Sequence, residues 1–389
     1  MLILHTSDWH VGRRLGRHDR TAETAAALDE VAVIADEHAV DLVLVSGDVF
    51  DRPVPPIDAL SLGLGGLLRL AEGRPVVAVA GNHDSPELFE ALAPLLRERG
   101  VHAVGTIKRP EEGGVLGPDV LGVPAVVAAF PFLREGRVVD FMREAGEWYG
   151  AYAERVAAIC ASYNRALVER AGEDLVPLLM AHFMVGGIKV DRAAPRGERE
   201  LHMGEAYAAT PQAIPAGPQY VAMGHIHAPQ PVPGSPVPAR YAGSLLPLDF
   251  GEAGERKEVV MIEAEPGRLA VVTPVSLGSG RPLRRERGTW EAIAARVDEL
   301  ADSYLDLTVQ VGGPDPDLGR RATETFPYLV HVRPEGPPGE RREPRVPGAS
   351  PADDELYAAF HRAAHGEDPS TELLALFREV LEEAVDATA

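Results

Sequence analysis

The sequence predicts an α/β protein built on parallel strands. Three observations point there. Short, wholly apolar runs recur; a polar cluster rich in Asp, Asn or His closes each; and a segment with helical spacing follows. Ligand sites in open α/β sheets collect at the carboxyl ends of strands, so the polar clusters are expected to converge.

The first strand is Leu2-Ile3-Leu4-His5, running into Thr6-Ser7-Asp8-Trp9-His10. A helix is predicted over 20–38, where Ala25, Leu28, Val31, Ala32 and Ala35 recur at helical spacing. Asp41-Leu42-Val43-Leu44-Val45 reads as a strand buried on both faces and ends at Ser46-Gly47-Asp48. Pro55 and Pro56 open a helix to about residue 71, and 75–79 is the third strand, ending at Gly81-Asn82-His83-Asp84 before a helix at Pro86. Short strands are expected at 101–104, 120–123 and 126–130, then a long helix over 147–171. The strand 176–181 delivers His182, and 220–223 delivers Gly224-His225-Ile226-His227. Further strands are expected at 240–244, 258–264 and 269–275.

Gly278-Ser279-Gly280 reads as a linker. A small α+β pattern follows: a helix over 289–301 and strands at 305–311 and 328–332. The Pro-, Gly-, Arg- and Glu-rich stretch 333–350 reads as a flexible tether. Two amphipathic helices are expected over 352–364 and 371–385, with apolar stripes that include Leu356, Tyr357, Phe360, Leu373, Phe377 and Leu381. The expected domains are therefore 1–276, 281–334, a linker at 335–350 and a helical segment at 351–389.

Composition bounds the function. A chain of 389 residues exceeds one typical core. The single cysteine, Cys160, excludes a disulfide framework and a cysteine-based zinc site. No charged and apolar leader opens the chain, and no apolar run reaches the roughly 18 residues of a membrane span, so a cytoplasmic protein is expected. The formal charge of −21 argues against nucleic-acid binding, which normally rests on Lys and Arg, although Arg13, Arg14, Arg17 and Arg20 crowd the first cluster.

The clusters carry the chemistry of a metal centre. Asp8 and His10 stand two apart after a strand, and a carboxylate with an imidazole suits Mn²⁺, Fe²⁺ or Zn²⁺ better than Ca²⁺. Asp48 is a strand-end carboxylate able to bridge two ions, although taken singly it reads more readily as an N-cap or turn residue. Asn82 offers a neutral amide oxygen. His83 cannot face the same way, which makes it the candidate for an acid near the leaving group, with Asp84 expected to orient it. His182 alone would read as a buried histidine satisfied by backbone. His225 and His227 alternate, which suits two ions sharing one site. Of 13 histidines, five fall at strand ends in this order, and the conjunction carries the reading.

Asp8-x-His10, Gly47-Asp48, Gly81-Asn82-His83-Asp84, His182 and Gly224-His225-x-His227 resemble the signature of the calcineurin-like metallophosphoesterases. The wording around it, Thr6-Ser7-Asp8-Trp9-His10-Val11-Gly12, Ser46-Gly47-Asp48-Val49-Phe50-Asp51-Arg52, Ala181-His182-Phe183-Met184 and His225-Ile226-His227-Ala228-Pro229-Gln230, is similar to the SbcD branch of the double-strand-break repair nucleases. Motif resemblance covers about residues 1–275. It implies a four-layer αββα sandwich, with the small α+β unit as a DNA cap and the terminal helix pair as the grip on an SbcC-type coiled-coil ATPase.

The same resemblance implies one ion on Asp8, His10, Asp48 and His227, and a second on Asp48, Asn82, His182 and His225. The usual ion is Mn²⁺, and His83 is the transition-state stabiliser or acid with Asp84 behind it. Expected activities are 3′→5′ exonuclease action on duplex DNA and endonuclease action on single strands and hairpins, in a homodimer within a heterotetramer. Archaeal and eukaryotic relatives carry a histidine where this chain has Asp51. A small-molecule metallophosphatase or cyclic-nucleotide phosphodiesterase shares every ligand and fits the acidity better, but it leaves the cap-like segment and tethered helices unexplained.

Overall fold

A computed structural model describes residues 1–134, 152–186, 209–336, 357–358, 361–362 and 368–377. The chain divides into two units: Met1–Gln310 with Pro314–Glu335, and Val311–Gly313 with Gly336–Ala389.

The first unit contains two six-stranded sheets. In one, β1 (Leu2–Thr6), β2 (Leu42–Val45), β3 (Val76–Val79) and β4 (Val101–Val104) run parallel, and β11 (Glu258–Glu263) and β12 (Val271–Ser276) extend the sheet antiparallel beyond β1. The other has β6 (Ala125–Phe130), β7 (Val176–His182), β8 (Tyr220–Gly224) and β10 (Ala239–Tyr241) in parallel. Two-residue antiparallel edges close it, β5 (Val115–Leu116) and β9 (Gln230–Pro231).

The apolar runs are continuous because both faces of each sheet are covered. Ile3, Leu42, Leu44, Val77 and Val79 pack with Ala125, Val127, Leu178, Met180 and Ala222 between the sheets. The alternate residues Leu4, Val43, Val45 and Ala78 pack against α1 (Thr21–Glu37), α2 (Ile57–Leu70) and α3 (Pro86–Arg97). On the far side Val126, Ala128, Leu179 and Val221 face Val156, Ile159, Tyr163 and Leu167 of α5 (Tyr152–Ala171). The result is the four-layer αββα sandwich.

Several local expectations change. The stretch 120–123 is not a strand: α4 (Pro118–Leu121) starts at a proline in its first turn and stops at Gly122, whose φ is 70°. The long helix is described from Tyr152, and residues 147–151 lie outside the described residues. Strand β7 runs one residue further than expected and includes His182 itself.

The small α+β region has a parallel three-stranded sheet, β13 (Leu283–Thr289), β14 (Tyr304–Gln310) and β15 (Leu329–Glu335), with β14 central. The helix expected over 289–301 is two short ones, α6 (Trp290–Ala294) and α7 (Val297–Leu300). Strand β13 reads Leu-Arg-Arg-Glu-Arg-Gly-Thr and buries only Leu283, so no apolar alternation announces it. Helix α8 (Leu318–Thr325) is equally silent, burying only Leu318 and Ala322.

In the second unit, 371–377 is helical and the Tyr357 and Phe377 rings stack, with centroids 4.3 Å apart. Residues 357–358 and 361–362 are helical as well; the rest of the two expected helices, and nearly all of the tether, lie outside the described residues.

Candidate metal centre

Every site residue expected from the sequence lies just beyond the carboxyl end of a parallel strand, or on its last residue. Strand β1 leads to Asp8 and His10, β2 to Asp48, β3 to Asn82, His83 and Asp84, β7 ends on His182, and β8 leads to His225 and His227. The turns that aim them are strained. Asp8, His10, Asp48 and His225 have φ of 51°, 45°, 51° and 100°, and among the described residues only Ala39 joins them as a non-glycine with positive φ. The strand ends also meet at backbone distance. A Cβ on Gly224 would overlap the Ser46 carbonyl, and one on Gly81 would overlap Asp48.

The donor atoms fall into two groups that share Asp48. In one, His10 Nε2 lies 3.1 Å from His227 Nε2 and 3.6 Å from Asp48 Oδ2. Asp8, His10 and His227 place ligand atoms within 4.8 Å of one another. In the other, Asn82 Oδ1 lies 2.9 Å from His182 Nε2 and 2.8 Å from His225 Nδ1, while His182 Nε2 is 3.3 Å from Asp48 Oδ2. Asp8 also joins Asp48 and His182 within 4.8 Å. His10, Asp48 and His83 form a further set of ligand atoms within 4.8 Å of one another. Asp8, His10, Asp48 and His182 are all 2% exposed or less, and carboxylates and imidazoles crowded together out of water fit divalent cations.

Outer contacts fix which imidazole nitrogen faces inward. His182 Nδ1 lies 2.8 Å from the Ser46 carbonyl, which only accepts, so Nδ1 carries hydrogen and Nε2 meets the cluster. His227 Nδ1 lies 3.2 Å from Glu252 Oε1. The Asp51 carboxylate lies 3.5 Å from His10 Nδ1 and accepts from Arg13 at 3.3 Å. Asp51 therefore stands behind His10.

Asp84 does not orient His83. Its carboxylate is fully buried and accepts the main-chain N–H of Phe50 and Gly81, both at 2.9 Å, and of Val49 at 3.2 Å. It thus ties the β2 turn to the β3 turn. His83 Nδ1 instead meets the Asp51 main-chain carbonyl at 3.0 Å. The physical reason is proximity: the β2 turn brings unpaired N–H groups to Asp84 and a carbonyl to His83.

Electrostatics follow from burial. Burial would raise the Asp48 carboxyl, but the His182 and His10 imidazoles outweigh it and hold the group well below the usual carboxylate range. Burial would lower His182, but Asp48 raises it to about 9. Asp84 rises to about 7 through burial, with the Asp48 charge adding to it. His182 and Asp48 thus each favour the charged form of the other.

Some participants carry no signal of their own in the sequence. Phe132 stacks beside His225 at 6.0 Å between ring centroids, and Arg134 donates to the Asn82 and Asp84 carbonyls. Glu252 and Lys257 act behind His227. Only Asp51 sits inside a motif; Glu252 lies 25 residues from His227 in a loop without one.

Comparison with known proteins identifies the family. Residues 1–229 match the model of the calcineurin-like phosphoesterase family. The chain is 30% identical to the SbcD component of the SbcCD nuclease of Bacillus subtilis, over 98% of this chain and 97% of the relative. It is 33% identical to the corresponding protein of Rhodobacter capsulatus over 71% of each chain. Identity to that of Escherichia coli K12 is 31%, over 85% of this chain and 84% of the relative. The chain belongs to the calcineurin-like phosphoesterases and, within them, to the SbcD family of SbcCD nuclease components.

Proposed function

We propose that this chain is the nuclease component of an SbcCD-type complex and hydrolyses DNA phosphodiesters at a centre for two divalent ions, with Mn²⁺ as the working metal. The observation that carries the reading is the pair of donor groups joined by Asp48. Asp8, His10, Asp48 and His227 hold one ion; Asp48, Asn82, His182 and His225 hold the other. When bound, the ions activate water for in-line attack and neutralise the phosphoryl oxygens. His83, held at Nδ1 by the Asp51 carbonyl, has Nε2 left to protonate the leaving 3′-oxygen or stabilise charge on it. Asp84 fixes the loops that carry His83 and Asp48.

DNA as substrate is supported by the small sheet. Arg285, Arg287, His331 and Arg333 occupy one face of β13 and β15, where Asp306 meets Arg285 and Arg333 and Glu335 meets Arg287, leaving three guanidinium groups to two carboxylates. Phosphate contacts of this kind, with the bound cations, offset part of the −21 charge. The activities are 3′→5′ exonuclease on duplex ends and endonuclease on single strands and hairpins, in DNA repair and recombination in the nucleoid of the cytoplasm. Among the described residues no helix is long and apolar enough to cross a membrane.

The partner is an SbcC-type coiled-coil ATPase gripped by the terminal helices. A homodimer forms through α2 and α3, where Ile57 and Leu95 are 86% and 70% exposed, as is Val54 just before α2 at 85%. Such large apolar side chains in solvent favour a protein contact.

The test is incubation of the full chain with linear duplex and hairpin DNA in Mn²⁺, beside Asp48→Asn. Cleavage that Asp48→Asn abolishes is expected. Rapid turnover of small phosphate esters with DNA left intact would overturn the reading.

A further inference from the structure

His227 is held from outside by a loop that other parts of the first unit also grip. Its Nδ1 lies 3.2 Å from Glu252 Oε1, in the stretch between β10 and β11. Glu252 is 6% exposed, and its other oxygen accepts Lys257 Nζ at 2.6 Å and Leu248 N at 3.0 Å. Lys257, 5% exposed, donates to the His227 carbonyl at 2.9 Å, and Ser244 N donates to the same carbonyl at 3.1 Å. The loop therefore holds both the ring and the main chain of His227.

The other side of this loop rests on the small sheet. Phe250 clusters with Leu15, Leu283 and Tyr304, and its ring centroid is 5.9 Å from that of His331. The Pro247 carbonyl accepts Arg20 Nη1 at 2.5 Å. Arg20, Arg281 and the Tyr304 hydroxyl all converge on the Glu23 carboxylate. Leu283, Tyr304 and His331 belong to β13, β14 and β15. His182 is braced differently: its Nδ1 rests on the Ser46 carbonyl at the end of β2.

We propose that Glu252 is the positioning residue for His227, and that the loop 243–257 ties the seating of the small sheet to the ion held through His10 and His227. The inference rests on the two-ion reading above. A carboxylate that accepts Nδ1–H keeps the Nε2 lone pair toward the ion and raises its basicity. Lys257 in turn fixes the carboxylate, so the ring is aimed before any ion arrives. Phe250 is the point at which displacement of the small sheet reaches Glu252.

The test is calorimetric titration of Mn²⁺ into the metal-free full chain, for the parent and for Glu252→Ala, Glu252→Gln and Phe250→Ala, with nitrogen NMR of the His227 tautomer. The parent is expected to bind two ions and to show His227 protonated at Nδ1. Glu252→Ala weakens one ion by about 10–100-fold, spares the other and mixes the tautomers. Glu252→Gln, whose amide oxygen still accepts Nδ1–H, keeps the tautomer and weakens the same ion by less. Phe250→Ala weakens that ion alone.

Equal binding of both ions in the two Glu252 variants, or equal loss of both, overturns the positioning role. If Glu252→Ala does not fold, Glu252→Gln decides alone. Unchanged binding in Phe250→Ala overturns the link to the small sheet. A parent that binds fewer than two ions overturns the two-ion reading itself, a separable failure.

Discussion

His83 Nδ1 lies 3.0 Å from the main-chain carbonyl of Asp51, which fixes the ring through a group that no side-chain substitution at position 51 removes. His83→Ala is expected to retain the parent's metal stoichiometry while cleavage falls about 10²–10⁴-fold, the scale of a lost general acid. Metal analysis beside a DNA cleavage assay checks this. Loss of an ion would make His83 a ligand.

Asp84 is a clamp on backbone, and its substitution is read in stability. Asp84→Ala leaves the N–H groups of Val49, Phe50 and Gly81 without their buried acceptor. A cost of roughly 1–3 kcal/mol is expected for each group left unsatisfied, less whatever the loop recovers by relaxing. Denaturant unfolding of the metal-free chain measures it. Asp84→Asn, which keeps an acceptor oxygen, is expected to lose less.

The metal-free chain has a pH dependence that bound metal removes. His182 is raised from 6.5 to about 9 in the folded chain, so its stabilising contribution is fully present below pH 6.5 and is lost as pH rises toward 9. Melting temperature of the metal-free chain is expected to fall across that window. At pH 7.5, metal binding is expected to release this proton, which titrations in buffers of different ionisation enthalpy count. Absence of proton release would show that His182 keeps its proton or stays off the metal.

Glu23 is the common acceptor for Arg20, Arg281 and Tyr304. Arg20 is 2% exposed, so Glu23→Ala strands a buried guanidinium beside the Pro247 carbonyl. A loss of about 3 kcal/mol is expected, measured by chemical denaturation. A surface-type loss below about 1 kcal/mol would show that Arg20 finds water or another partner.

The two sheets are legible in the sequence because burial on both faces forces uninterrupted apolar runs, and the convergence of the polar clusters because each closes such a run. Leu42, Val43, Leu44 and Val45 then Asp48 is the clearest instance. The role of Asp84 is not legible there: adjacency in sequence suggests His83 as its partner, whereas the fold presents it with three N–H groups from other positions. Glu252 is silent, since its meaning depends on a loop returning to His227. Strand β13 is silent for another reason: four of its seven residues are charged, and pairing with β14 rather than apolar pattern holds it in place.

Asp8, His10, Asp48 and Asn82 follow strands of one sheet, while His182 ends a strand of the other sheet and His225 and His227 follow one. Each of the two proposed ion sites draws residues from both sheets. Along the chain, Asp8, His10, Asp48 and Asn82 come first, and His182, His225 and His227 follow only after β6. A product truncated before β7 is therefore expected to lack His182, His225 and His227, and with them part of both proposed ion sites.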